Sequence, residues 1–326
     1  MSIPKLNDHR REVVWWRAYT VEISIVILGL AAMNGIFVAR AFRQTSTVSR
    51  EAAAQLGSFV GGYVGTMFAL TGVVLLYVTL RSQLRSSSEQ SFENKYFELL
   101  KMHRDNVAEL EVRGASGRKL FVLLLRELRC ILDIVRTVAQ ESSQQLTQVE
   151  TLHVAYYCLF YGVGPNSSRM LRMSLSTFDS EFVEVIDKTL SDPEIKLRVR
   201  NEQNFDYVPF DGHQSRLGHY YRHLYQMVRY VDEKQLTIDK YEYVKTVRAQ
   251  LSTHEQALLL VNSLTPNGQD WWRKNLIVKY RLVQNLPREF FDSSTEIDLS
   301  TLFEPGYFEW EEAERGTAVP GPQDSR

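Results

Sequence analysis

The sequence is poor in cysteine, balanced in charge, and devoid of the short signatures that mark the commoner chemistries. Its 38 lysines and arginines stand against 39 aspartates and glutamates, so no global field advertises nucleic acid or an acidic substrate. Any basic surface must be local. The two cysteines, Cys130 and Cys158, sit among leucines and valines in stretches of helical periodicity, and are expected as buried thiols in a reducing compartment. No G-x-x-x-x-G-K-[ST] loop occurs, and Gly162 to Ser168, GVGPNSS, lacks the spacing of a dinucleotide fingerprint and reads as a turn. C-x-x-C and H-E-x-x-H are both missing, and His254-Glu255 has no second histidine four residues on. His219 and His223 stand one helical turn apart, but two imidazoles alone make an incomplete metal site, so neither metal nor cofactor is expected. No serine or cysteine occupies a nucleophile elbow. Alternating strand patterns are nearly absent, which predicts an all-α fold.

What is present in quantity is a pair of apolar runs near the N-terminus. Residues 56–80, LGSFVGGYVGTMFALTGVVLLYVTL, carry no charge over 25 residues, long enough to cross a hydrocarbon layer of about 30 Å. Residues 18–39 are mostly apolar, preceded by the interfacial pair Trp15 and Trp16 and closed by Arg40, and are expected to be a second span. The run is too long and too late for a signal peptide, so the expectation for residues 1–81 is an uncleaved transmembrane hairpin. Lys5, Arg10, Arg11, Arg17, Arg81 and Arg85 flank its open end, against Arg40, Arg43 and Arg50 in its loop. That bias predicts a multi-pass protein of a bacterial inner membrane with both termini cytosolic. Within the spans, Glu22 and Asn34 are intramembrane polar residues in the first. Gly57, Gly61 and Gly65, continued by Ala69, form a small-residue ridge in the second, suited to close helix packing within one chain or between copies of it.

Beyond Arg81 the apolar seam of Phe92, Tyr96, Leu99, Leu100, His103, Val107 and Leu110 predicts a helical stalk over residues 82–112, unless the triplet Ser86 to Ser88 breaks it. A helical domain follows over residues 113–310, with helices expected at about 117–141, 146–162, 179–190, 214–232, 238–263 and 269–284. The tail, 311–326, has the composition of a disordered segment.

The densest polar cluster is GHQSRLGHYYRHLYQMVRYV, Gly212 to Val231. On a helix, Leu217, Tyr220, Tyr221, Leu224, Met227, Val228 and Val231 fall at core-facing spacing. Arg216, His219, His223, Gln226 and Tyr230 gather on a neighbouring arc, with Arg222 and Arg229 further round. The candidate ligand or partner-binding residues are therefore Arg216, His219, His223, Gln226, Arg229 and Tyr230. A polar seam against a neighbouring element is the alternative.

FENKYFELLKMHRDNV, GHQSRLGHYYRHLYQMVRYV, YVKTVRAQLSTHEQALLLVNSL and LIVKYRLVQNLP resemble successive blocks of the phage abortive-infection (AbiC-like) family, over roughly residues 80–287. That family includes two-transmembrane effectors encoded beside retron reverse transcriptases. The resemblance implies a bacterial antiphage effector that arrests growth or kills the cell, and it adds a retron reverse transcriptase with its RNA-DNA product as a candidate regulator. It assigns no catalytic residue. The leading expectation is a non-enzymatic toxin that homo-oligomerises in the lipid bilayer and permeabilises it, with no small-molecule substrate. An alternative is a membrane-tethered ribonuclease similar to the HEPN type, which pairs an arginine with a later histidine. Arg216 with His223, or Arg248 with His254, would serve, although Leu217 and Ala249 stand where such enzymes usually place a polar residue. A harmless membrane sensor or scaffold is the third.

Overall fold

The computed structural model describes residues 28, 29, 32, 50–112 and 115–311. The first expected span, with Glu22 and Asn34, lies outside these residues apart from three positions, as does the tail beyond Glu311. The two-span hairpin expected from the sequence is thus represented by one long apolar helix among the described residues.

The described chain is all-α but for one two-residue hairpin, and falls into two units, residues 1–86 and 87–326. In the first unit, α1 (Arg50–Phe59) passes through a π-helical turn (Val60–Val64) into α2 (Gly65–Glu109). Among the described residues, the helix over Gly57–Glu109 is the one long and apolar enough to span a membrane. None of its most apolar window is buried, and Phe68, Leu70, Leu76 and Tyr77 stand 44%, 60%, 69% and 63% exposed. Two of its hydroxyls are satisfied locally: Thr66 Oγ1 donates to the Gly62 carbonyl, which lies in the π turn, and Thr71 Oγ1 to that of Met67. Ser86 to Ser88 stay helical, so the triplet does not break the element.

In the second unit, the later part of α2 buries Phe92, Tyr96, Leu100, His103 and Val107, the seam expected from the sequence. A β1–β2 ribbon (Glu111–Val112, Ala115–Ser116) turns the chain into α3 (Arg118–Glu141). The central α3 packs against α4 (Gln148–Tyr161), α6 (Ser180–Ser191) and α10 (Thr253–Ser263). Its buried stripe runs from Leu120 to Ala139 at three- and four-residue intervals, and Glu127 is the one acid within it. Between these lie α5 (Ser168–Ser174), α7 (Pro193–Gln203), α8 (Gln214–Asp232) and α9 (Lys240–Arg248). The short helices α11 (Asp270–Arg273) and α12 (Leu276–Lys279) lead into irregular chain whose Phe291, Ile297, Phe303 and Phe308 complete the core.

Two expected helices are corrected by local chemistry. The run expected at 238–263 breaks between α9 and α10, where Ser252 and Glu255 form a capping box: Glu255 N donates to Ser252 Oγ at 3.3 Å, and Ser252 N to Glu255 Oε2 at 2.7 Å. The run expected at 269–284 is two short turns of helix, interrupted where Asn275 and Arg281 take left-handed conformations. Cys158 is buried and Cys130 half-buried, both as free thiols, and burial raises both thiol pKa values, that of Cys130 to about 11.

Candidate functional site

The α8 helix spans the residues expected of it, and the seven positions assigned to its core face are its seven buried ones. Its outer side lines a groove of about 600 Å³ against the C-terminal end of α2 and the β1 strand, walled by Arg216, His219, His223, Gln226, Arg222 and, opposite, Asn106, Glu109 and Glu111. Two of these side chains are already tied to backbone. Arg216 Nε donates to the Glu111 carbonyl at 2.9 Å, and His223 Nε2 donates to that of Leu99 at 2.9 Å. Arg229 pairs with Glu233 at 2.6 Å on its own helix, and Tyr230 stacks on Phe92 with centroids 5.4 Å apart. Of the sequence candidates, His219 and Gln226 therefore remain exposed in the groove with no hydrogen bond among the described residues, and Arg222 joins them.

Behind His223, the ring of His103 lies parallel at 6.0 Å and tilts toward Tyr220 at 5.3 Å. His103 is buried with both ring nitrogens unpartnered, and burial, helped by the charges of His223 and Arg118, pulls its pKa down to about 4. A neutral His103 is what such packing requires. Tyr220 donates its hydroxyl to the buried Glu255 at 3.1 Å, and burial followed by that carboxylate pushes the phenol well above its ordinary value.

The start of α8 is moored by a buried cluster that the sequence reading missed. Glu127 Oε2 accepts from Tyr207 Oη at 2.6 Å and from His213 Nε2 at 2.9 Å, while Glu127 Oε1 accepts the Phe210 N–H at 2.7 Å. Burial alone would raise this carboxyl; the His213 ring and these hydrogen bonds outweigh it and hold the pKa below the usual value. The loop can close this tightly because Gly212 (φ 87°) and Gly162 (φ 76°) touch backbone to backbone, where a Cβ on Gly212 would lie 2.3 Å from the Tyr161 carbonyl oxygen. The signal was in the sequence: an acid at a core position of an apolar stripe needs buried partners.

Comparison with known proteins bears on this region directly. Residues 212–291 match the family model described as "Putative phage abortive infection protein". The match supports the AbiC-like assignment and with it a role in antiphage defence. No curated protein and no solved structure is significantly similar to the chain. The matched segment begins with the Gly212 turn, contains α8 to α12 and ends in the core at Phe291, so three of the four blocks that carried the resemblance lie within it. The block in α2, residues 92–107, lies outside the match and reaches the opposite wall of the groove only at Asn106, ahead of Glu109 and Glu111.

Within the matched segment, Arg248 and His254 have separate partners among the described residues. Arg248 is buried and donates Nη1 to the carbonyls of Tyr280 and Arg281 at 3.2 and 3.1 Å, fixing the turn after α12. His254 packs edge-on against Phe290 at 5.4 Å, and burial, then Arg129 and Arg126, lowers its pKa. Among the described residues no group of three histidine, cysteine or carboxylate side chains is arranged to hold a metal ion. In the first unit, Gly57 and Gly61 have, among the described residues, no atom from beyond their own stretch of helix within 4 Å of where a Cβ would stand, Gly65 meets the Val60 carbonyl oxygen at 3.9 Å, and Ala69 continues the exposed row.

Proposed function

We propose that this AbiC-like protein is an inner-membrane effector of abortive infection that homo-oligomerises and permeabilises or depolarises the bilayer once its cytosolic domain is triggered. The observation that carries this reading is the helix over Gly57–Glu109, whose apolar part is uncovered among the described residues and whose glycines are exposed there. Such a surface is stable in lipid, and small residues let helix backbones approach where lipid removes the hydrophobic drive to associate. The π turn at Val60–Val64 falls among those glycines, and π turns of this kind cluster at functional positions. Oligomers are required because two spans of one chain, 18–39 and 56–80, cannot enclose an aqueous path. The polar outer side of α8 is the receiving surface for the trigger or an inhibitor, with both termini cytosolic. A retron reverse transcriptase with its RNA-DNA product is the regulator that the family resemblance offers.

The toxic act is read as non-enzymatic. Arg216 and His223 lie seven residues apart on one helix, roughly 10 Å along its axis, and each spends a donor on a backbone carbonyl. That arrangement suits a packed seam better than proton transfer at a phosphate. The deciding experiment compares wild type, Gly61→Leu and Arg216→Ala with His223→Ala in cells where the protein is induced or triggered by phage, following membrane potential and dye entry. A leucine at position 61 meets nothing among the described residues, so early depolarisation lost in Gly61→Leu is the expected result. Growth arrest at intact potential, abolished by the Arg216 and His223 changes and accompanied by RNA cleavage, would overturn it in favour of a ribonuclease. A chain harmless at every expression level would leave only a sensor or scaffold.

A further inference from the structure

A second groove, of about 390 Å³, opens beside the first on α8, between the C-terminal end of α4 and the turn joining α10 to α11. Three independent features single it out. Gly218 lies on its floor in mid-helix, where glycine is a poor helix former, yet nothing in the chain demands it: a Cβ there would meet only Phe160 Cζ, at an ordinary 3.8 Å. Tyr221 lines the groove on a side chain 6% exposed, and its hydroxyl, shielded from solvent beside Tyr156, is a buried polar atom with no partner in hydrogen-bond geometry. Arg222, on the crest that this groove shares with the first, is exposed and makes no hydrogen bond or ion pair among the described residues.

The remaining lining defines a ligand chemistry. Tyr225, half-buried, meets the buried Trp271 edge to face at 5.1 Å and offers aromatic surface. Asn262 gives its amide nitrogen to the Tyr156 hydroxyl and Asn267 its own to Tyr161, which leaves each carboxamide oxygen as an acceptor. Aromatic faces with carboxamides and a phenol suit a planar, nitrogen-rich ring, since bases stack on aromatic side chains and are read by hydrogen bonds along their edges. Arg222, one turn from the equally unpartnered His219, suits a phosphate. The volume is that of a small-ligand pocket.

We infer that this groove binds one nucleoside phosphate unit, its base between Tyr225, Asn262 and Tyr221 over Gly218 and its phosphate at Arg222 and His219. The inference deepens the sensing half of the reading above by giving it a ligand class, and it is independent of the membrane half. The unit is either a free nucleotide or an unpaired residue of a single strand, the chemistry being the same.

The test is calorimetric titration of the full-length chain in detergent micelles with AMP, GMP, CMP and UMP. Ribose 5-phosphate, inorganic phosphate and single-stranded DNA and RNA oligonucleotides form the other arms. Saturable one-site binding by at least one nucleotide or oligonucleotide is expected; a tighter oligonucleotide assigns the source to nucleic acid, a tighter mononucleotide to the free pool. Arg222→Ala should weaken binding about ten-fold and flatten its salt dependence. Tyr221→Phe should weaken it a few-fold. Gly218→Leu should abolish it without lowering the melting temperature, because the added side chain fills the groove and improves helix propensity. If Gly218→Leu does lower the melting temperature, Gly218→Ala and Arg222→Ala decide. The proposal is overturned if no nucleotide or oligonucleotide saturates at millimolar concentration, if phosphate or ribose 5-phosphate binds as well as the nucleotides, or if the groove variants bind like wild type. None of these results touches the depolarisation assay, so the two readings fail separately.

Discussion

Two apolar helical stretches of this chain meet opposite fates. In α4, Val154 to Phe160 are all buried, and Leu159 is fully enclosed; in α2, Leu76 is 69% exposed and its neighbours little less. Composition does not separate them, since both are runs of leucine, valine and aromatic side chains. Cover does. The first stretch has α3, α5 and α10 around it, whereas the second has no cover among the described residues. An apolar surface of that extent on a soluble molecule marks a partner or a membrane. Polar groups follow the same division. Beside the exposed stretch Thr66 and Thr71 turn back on their own helix, while in the core Glu127, Glu255 and Asn262 reach across to other elements.

That contrast breaks most readily at Glu127. Replacing it by alanine strands the Tyr207 hydroxyl, the Phe210 N–H and the His213 ring in a buried site, at a cost of roughly 3–5 kcal/mol. Denaturant unfolding should show most of the stability of the 87–326 unit lost. The carboxyl's folded pKa lies below its ordinary value, so its stabilisation is present above the unfolded value and disappears as pH falls through the folded one. Acid unfolding of wild type should therefore be steeper than that of Glu127→Gln, and equal slopes would show that the cluster does not stabilise through charge.

The exposed stretch should answer to a different substitution. Leu70 is 60% exposed, so lysine there costs a soluble fold almost nothing, but in lipid it costs about 3 kcal/mol near the centre of a span. Fractionation of cells expressing Leu70→Lys should show the chain leaving the membrane fraction, or accumulating poorly. Unchanged partition would mean that the stretch is covered by protein instead, and the comparison with α4 would collapse into similarity.

Most of the architecture was legible because periodicity reports burial. The stripes of α2 and α8 were read residue by residue, since each buries one face and leaves the other wet. The breaks inside 238–263 and 269–284 were not, because both flanks are apolar and the interruption rests on one cap and two left-handed residues. Short helices such as α5 and α7 gave too few turns for a pattern. At the candidate site the sequence placed Arg216, His219 and His223 on one arc, but it could not tell which donors neighbouring carbonyls would take. Arg222 and Gly218 gained meaning only from two grooves meeting along one helix.

The smallest expected effect separates a helix boundary from the site beside it. Ser252 begins α10 and holds Glu255, whose other oxygen accepts from Tyr220 on the core face of α8. Ser252→Ala removes one cap acceptor, worth about 1 kcal/mol, while its backbone N–H still holds Glu255 Oε2. Glu255 thus keeps Tyr220, and α8 keeps its seat. A melting temperature lowered by a few degrees, with the α8 grooves unaltered in ligand titration, is the outcome expected if Tyr220 is packing and the outer face of α8 is the working surface. A larger loss, with binding weakened in proportion, would mean that the cap reaches the grooves through Glu255 and Tyr220. The two sides of α8 would then be one cooperative unit.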